Sequence, residues 1–159
     1  MVNKDSYISP ISASEDLVTW DERYMVGIPL IDEQHKELVL LTNQLYRACF
    51  NGNEATVFPE TMSRMVEYVR FHFGAELELL KRINYPDYST HKNQHDTLVL
   101  KILEAVQEYK PGRKFVPNHF ARTLKDWIFS HIAIYDKIYA AYVADQIKKG
   151  LLSHELING

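Results

Sequence analysis

The sequence predicts an all-α protein, an up-down-up-down antiparallel four-helix bundle with an irregular N-terminal arm. Four long segments each repeat apolar residues with the 3.6-residue period of a helix. Only six glycines and six prolines interrupt 159 residues, which favours long elements. The connections between the segments are short, and short connections favour antiparallel neighbours. A chain of this length is expected to form one domain.

The first two helices are predicted from their apolar stripes and their end signals. The first runs from about Asp32, a suitable N-cap, to Asn51, and Gly52 follows as a stop signal. The second begins at Pro59, because proline suits the first helical turn, and it runs to about Lys81.

Prolines bound the other two helices. The third begins near Ser89 or Thr90 and ends before Pro111. The fourth opens at Pro117 and could run unbroken to Gly150, a length of roughly 45 Å.

We expect the chain to divide into three parts. Residues 1–17 are an N-terminal extension, residues 18–150 the helical domain, and residues 151–159 a C-terminal tail. Within the arm that precedes the first helix, Trp20 and Tyr24 are expected to pack on the bundle.

Composition narrows the classes of function. The net charge is −3 and there is no basic stripe, so we expect no nucleic-acid partner. The apolar runs are far shorter than the ~20 residues that span a bilayer. Residues 1–16 lack the apolar core of a signal peptide, so we expect a cytoplasmic protein without a membrane partner. Cys49 is the only cysteine and is expected to fill core space.

Histidines at helical spacing carry the functional signal. The stretch "HKNQH" puts His91 and His95 one turn apart on the third helix, where two imidazoles can bind one metal ion. On the second helix His72 and Glu76 have the same spacing. Either pair alone also fits solvated side chains, so the other helices decide between the two interpretations.

The first and fourth helices supply the remaining donors. His35 follows Ile31 by four residues on the apolar side of its helix, and the fourth helix carries His131 and Asp136. A single inward histidine is more often a satisfied core residue, but here every helix offers a nitrogen donor, which predicts a buried metal site. His131 and Asp136 diverge by about 140° on an ideal helix. A π-bulge or an approach from both flanks could bring them together.

The donor set also indicates the metal. Five imidazoles, two bridging carboxylates and one water-derived oxygen bridge fill eleven of the twelve positions of two octahedral ions. One position is left for a small ligand. Imidazole and carboxylate donors without thiolate favour iron, with manganese, zinc and cobalt as less diagnostic alternatives.

These donors, together with "WDERYMVGIPLIDEQHKEL", resemble the hemerythrin family, and most of all its bacterial single-domain members, over roughly residues 18–150. The resemblance implies two non-heme iron ions per chain with an oxo or hydroxo bridge, and dioxygen bound reversibly as the ligand. The implied site residues form four groups: His91, His95 and His131 on one iron, His35 and His72 on the iron with the open position, Glu76 and Asp136 as bridging carboxylates, and Trp127 and Ile128 in an apolar dioxygen pocket.

We therefore expect a dioxygen carrier, store or sensor rather than an enzyme. A ferritin-like di-iron enzyme would need Glu-x-x-His pairs, and no histidine here has a glutamate three residues before it. The alternative is a hemerythrin-type site used catalytically on peroxide or nitric oxide. A sensor would need a separate protein partner, and the chain could be a monomer or a homo-oligomer. His119 and His154 are expected to be solvated.

Overall fold

The computed structural model describes residues 16–50, 54–108 and 117–158, with side chains from residue 57 onward in the second range. Within these ranges every long element is a helix, so the predicted all-α class is confirmed. The long helices are, in chain order, α1 Pro29–Ala48, α2 Glu54–Arg82, α3 Tyr88–Glu108, α4 Pro117–His131 and α5 Lys137–Lys148. A π-helical turn, Ile132–Asp136, joins α4 to α5, so the fourth stretch of the bundle is nearly continuous.

The four stretches close into a ring. The helix α1 contacts α2 and α4, and α3 contacts the same two helices. This is the arrangement that the short connections predict for a four-helix bundle. None of the helices in the described ranges has the length and apolar character needed to cross a membrane.

The predicted start of α1 is wrong. Ile28 is the N-cap and Pro29 the first helical residue, so Asp32 lies one turn inside the helix. The carboxylate of Asp32 instead accepts hydrogen bonds from the backbone N–H groups of Val26, at 2.6 Å, and Gly27, at 3.2 Å. It therefore fixes the residues that precede the helix. The predicted end at Asn51 and Gly52 lies outside the described residues.

The predicted start of α2 is also wrong, because Pro59 lies inside the helix that begins at Glu54. A proline there removes only one backbone hydrogen bond, the one to the carbonyl of residue 55. The neighbouring Phe58 is fully buried and Met62 nearly so, and their burial favours a helical first turn. Asn84, at φ +52°, ends this helix in the left-handed conformation.

Apolar layers flank the middle of the bundle on both sides. One cluster of buried side chains includes Leu38 of α1, Phe73 of α2 and Ile132. The other includes Ile31 of α1 and Tyr139 of α5. Along these helices His35, Glu76 and Asp136 each fall between members of the two clusters, so apolar packing flanks the site on both sides.

The arm packs on the bundle as predicted, because Trp20 and Tyr24 lie against the first cluster. Cys49 is buried in the same cluster, which confirms its predicted place in the core. The tail is more structured than its sequence suggests. A short helix, α6 Glu155–Asn158, buries Ile157 against the second cluster.

Candidate metal centre

Seven buried side chains from all four stretches of the bundle meet at one place. Each is at most 5% exposed. They form two groups, and within each group the candidate ligand atoms all lie within 4.8 Å of one another. The larger group contains Glu76, His91, His95, His131 and Asp136, and the smaller contains His35, His72, Glu76 and Asp136. The two carboxylates therefore belong to both groups.

Helical geometry accounts for this convergence. His91 and His95 lie one turn apart on α3, and His72 and Glu76 lie one turn apart on α2. The π turn settles the spacing that the sequence left open. Its wider turn accommodates the five-residue step from His131 to Asp136, and His131 Nε2 lies 3.1 Å from Asp136 Oδ1.

The two oxygens of Asp136 face different histidines. Oδ1 lies 3.1 Å from Nε2 of His131 and 3.5 Å from Nε2 of His91. Oδ2 lies 3.5 Å from Nε2 of His35. This carboxylate thus faces histidines of both groups.

Glu76 is the second carboxylate shared by the two groups. Its Oε2 is 3.1 Å from Nε2 of His95, 3.4 Å from Nε2 of His91 and 4.0 Å from Nε2 of His72. Like Asp136, it approaches histidines of both groups.

Several polar atoms at the centre lack a hydrogen-bond partner of acceptable geometry among the described residues. They are Nε2 of His35, His72, His95 and His131, Nδ1 of His95, and both carboxylate oxygens of Asp136. Burying such atoms unpaired costs several kcal/mol by a rough estimate, so a ligand that pairs with them is expected. Imidazole nitrogens and carboxylate oxygens are donors that suit iron, so the residues present fit this metal.

Contacts outside the centre fix the orientation of two imidazoles. Nδ1 of His72 donates to Oε1 of Gln34 at 2.9 Å, and Nδ1 of His35 donates to the carbonyl of Tyr24 at 2.5 Å. A carbonyl oxygen can only accept, so the proton of His35 lies on Nδ1. In both rings Nε2 is left with its lone pair toward the centre.

Burial keeps the histidine of α2 neutral. It lowers the pKa of His72 to about 4 in the metal-free chain, where the nearby negative charge of Glu76 only partly opposes the effect. A neutral imidazole is the form that binds a metal.

Sequence reasoning did not single out Tyr139, which is fully buried and donates its hydroxyl hydrogen to Oε1 of Glu76. Burial raises the pKa of Tyr139 well above its usual value, and the charges of Glu76 and Asp136 raise it further. The phenol therefore stays protonated and remains a donor. Its signal in the sequence is its spacing, three residues after Asp136 and so on the same helical face.

The two residues predicted for a dioxygen pocket lie in different surroundings. Ile128 is 1% exposed and belongs to the first apolar cluster. Trp127 is partly buried and lines an open groove together with His131. Their part in binding dioxygen stays a prediction. His119 and His154 are exposed, as predicted.

Known proteins are similar to this chain in sequence and fold. Residues 26–143 match the Hemerythrin HHE cation binding domain. Bacteriohemerythrin of Stenotrophomonas maltophilia is 30% identical over 135 residues, which cover 85% of this chain and 84% of that protein. Bacteriohemerythrin of Methylococcus capsulatus is 27% identical over 124 residues, covering 77% and 94%. A crystal structure of wild-type hemerythrin superposes with a TM-score of 0.71 at 27% identity and covers 79% of this chain and 96% of that chain.

The match to the family domain and the agreement in fold lead to one conclusion: the chain belongs to the hemerythrin family, non-heme di-iron proteins that bind oxygen.

Proposed function

We propose that this protein holds two iron ions in its buried centre and binds dioxygen reversibly at one of them. The observation that carries the proposal is the position of Asp136, whose two oxygens face the two histidine groups while lacking hydrogen-bond partners within the described chain. Iron in this centre would supply the open coordination position and the electrons for reversible dioxygen binding.

We assign the seven residues to the two irons as follows. His91, His95 and His131 are assigned to one iron, and His35 and His72 to the iron with the open position. Glu76 and Asp136 are assigned as bridges between them. Five neutral imidazoles against two carboxylates give the ligand set a charge of −2, so hard anionic donors that stabilise higher oxidation states are few.

The surroundings favour binding over catalysis. Apolar clusters on both sides exclude water from the centre. Cleaving an O–O bond needs an available acid. Tyr139 is a poor acid, because burial and neighbouring charge raise its pKa. Its hydroxyl also already donates a hydrogen bond to Glu76. The chain is therefore suited to bind dioxygen without cleaving its O–O bond, as a carrier, store or sensor.

Metal analysis and optical spectroscopy test the proposal together. Iron-reconstituted protein is expected to saturate at two irons per chain. The anaerobically reduced protein should gain a visible band in air and lose it under argon. Saturation at one iron or fewer would refute the di-iron centre. Rapid, irreversible conversion to the ferric state would instead favour sensing, or catalysis on peroxide or nitric oxide.

Matched histidine variants test the residue assignment. His95→Ala empties a position in the three-histidine group, so the di-iron spectrum should be lost. His154→Ala removes an exposed histidine of the tail and should change neither iron content nor spectrum. A variant at His95 that kept a full di-iron spectrum would show that the assignment is wrong.

A further inference from the structure

The five histidines of the centre are not equally remote from the surface. His35 and His72 are completely buried and His95 is 2% exposed, whereas His91 is 5% and His131 4% exposed. These last two each line a groove, of about 260 Å³ over His91 and about 370 Å³ over His131. The grooves adjoin, because Gln94 and Tyr135 line both.

The groove over His131 has aromatic walls. Trp127 lies four residues before His131, and the Tyr135 ring lies 5.3 Å from the His131 ring, centre to centre. A flat aromatic molecule in this groove could stack on either wall while it touches the edge of His131. The groove volume lies within the range of small-molecule sites.

The polar lining of the same groove matches a particular kind of flat molecule. Gln94, Thr97 and Ser130 can each donate and accept hydrogen bonds, as the imide edge of a flavin ring requires. The ammonium group of Lys101 lies 5.9 Å from the centre of the Trp127 ring. Asp126 also lines the groove, but its carboxylate pairs with Lys125 at 2.7 Å, so the ammonium group of Lys101 can attract a negatively charged ligand.

The proposed function needs a reductant that can reach the iron centre. A ferrous centre that loses electrons to dioxygen in a side reaction becomes ferric and must be reduced before it can bind dioxygen again. Electron transfer slows steeply with distance, so a reductant works best against a ligand ring whose edge reaches the surface. Only the grooves over His91 and His131 offer such an edge among the described residues of the centre.

We propose that the groove over His131 binds a reduced flavin, which returns electrons to the iron centre through the edge of the His131 ring. The proposal rests on the proposed function, because it needs a ferric centre to reduce. One reduced flavin gives up two electrons and two protons and becomes the oxidised ring. The electrons convert two ferric ions to ferrous ions, and the protons pass to water, so the step balances.

Two substitutions test the groove without touching a ligand. Thr97 is exposed on α3, so Thr97→Trp should fill the groove and leave the fold intact. Lys101→Glu reverses the charge at the rim. The controls are Ser63→Trp, at an exposed position on α2, and Lys148→Glu, at an exposed position on α5.

The first measurement is binding. Equilibrium dialysis of flavin mononucleotide against the ferric protein should show saturable binding, weakened about tenfold by Thr97→Trp and by Lys101→Glu. Lumiflavin, which carries the same ring without phosphate, should respond to Thr97→Trp as strongly. Absence of saturable binding to the unmodified protein, or equal binding by Thr97→Trp, would overturn the proposal.

The second measurement is the rate at which reduced flavin mononucleotide converts the ferric to the ferrous protein. Both groove variants should be slower by about tenfold, and both controls should stay within about twofold. Dithionite, which needs no groove, should reduce all five proteins alike. If Thr97→Trp is reduced by flavin at the unmodified rate, the groove is not the site. Because flavin binding is measured separately from iron content and dioxygen binding, failure of this inference is distinguishable from failure of the proposed function.

Discussion

Tyr139 shows how much a single side chain outside the ligand set can matter. Its hydroxyl donates to Oε1 of Glu76, and it is one of the few polar groups at the centre whose hydrogen bond is complete. The hydrogen bond fixes the plane of the carboxylate, and through it the direction in which Oε2 faces His91 and His95.

Tyr139→Phe should keep the ring packing and remove only this donor. We expect the variant to bind iron with about 10–100-fold lower affinity, because losing a hydrogen bond to a metal ligand has effects of that size. Competition against an iron chelator measures the change. Tyr142→Phe is the matched control, because the Tyr142 ring contacts Tyr85 rather than a carboxylate of the centre. Equal affinities in the two variants would show that the Tyr139 hydroxyl does not support Glu76.

A second residue-scale prediction concerns Ile128, which lies one turn before His131 in the apolar cluster. Ile128→Ala should lower the free energy of unfolding by about 2–5 kcal/mol through the cavity it creates. If Ile128 also shields the open position, water will reach the bound dioxygen and autoxidation will accelerate. Denaturant unfolding and the rate of ferric conversion are measured on one sample. Lower stability with an unchanged autoxidation rate would assign Ile128 to packing alone.

Residue spacing alone predicted which side chains would meet. Helical periodicity decides which face a residue occupies, so His72 with Glu76 and His91 with His95 could be read from the sequence. The hydrogen bond from His72 to Gln34 could not, because it joins residues 38 positions apart and depends on how α1 packs against α2.

At the scale of elements, the π turn is the feature that joins two halves of the fourth stretch. It places Asp136 beside His131 and keeps Tyr139 and Val143 of α5 in the core. The sequence indicated that something unusual must happen here, because a five-residue step does not fit an ideal helix. It could not choose between a π-bulge and two flanking side chains, since that choice depends on backbone hydrogen bonds.

Deleting Ile134, whose side chain is 56% exposed, tests this element. The remaining residues can form a regular α-helix that keeps the faces of α5, so thermal stability should change little. His131 and Asp136 then stand four residues apart on one face, as His91 and His95 do, so iron per chain should stay the same. Deleting Ala141 from the regular part of α5 is the control. It rotates the following residues by about 100°, exposes apolar side chains and should lower the melting temperature. Loss of iron after Ile134 is deleted would show that the centre needs the π turn itself rather than the shared face that it gives to His131 and Asp136.

The arm is a second element that acts on the centre. Its Tyr24 carbonyl holds His35, and Asn43 of α1 binds both the N–H and the carbonyl of Val18, at 2.9 and 2.8 Å. The sequence predicted that the arm packs on the bundle. It did not predict that the arm orients a metal ligand. Every residue has a backbone carbonyl, so no residue type in the sequence indicates this contact.

Asn43→Ala should leave both backbone groups of Val18 without their partner and cost about 1–3 kcal/mol of stability. The loosened arm should also speed the release of iron to a chelator. Arg47→Ala is the control, since its ion pair with Asp16 is exposed and worth about 0–1 kcal/mol. If Asn43→Ala lowers stability but releases iron at the unmodified rate, the arm does not support His35 as inferred.

At the scale of the whole molecule, the centre couples metal binding to folding. The bundle buries two carboxylates and five imidazoles that the metal-free chain cannot fully pair. A metal that binds only the folded state stabilises it by mass action. Removal of iron should therefore lower the melting temperature, and iron should restore it.

The metal-free protein should also lose stability in acid, and the pKa of His72 gives the pH range over which this happens. Its pKa falls from 6.5 to about 4 on folding because of burial. Below pH 6.5 the unfolded chain binds a proton at this histidine that the folded chain does not, so stability falls until about pH 4, where the folded chain binds it too. A shift of this size corresponds to about 3 kcal/mol.

His35 acts in the opposite direction. Burial alone would lower its pKa, but the nearby negative charges of Asp136 and Glu76 outweigh burial and raise it. Its contribution is fully present below pH 6.5 and is lost as the pH rises through its higher folded pKa. The variant His72→Gln separates the two, because glutamine keeps polar groups at this position but does not titrate. Denaturant unfolding of both metal-free proteins between pH 4 and 7 should give a steeper loss of stability with acid for the unmodified chain. Identical slopes would mean that His72 is not held neutral by burial.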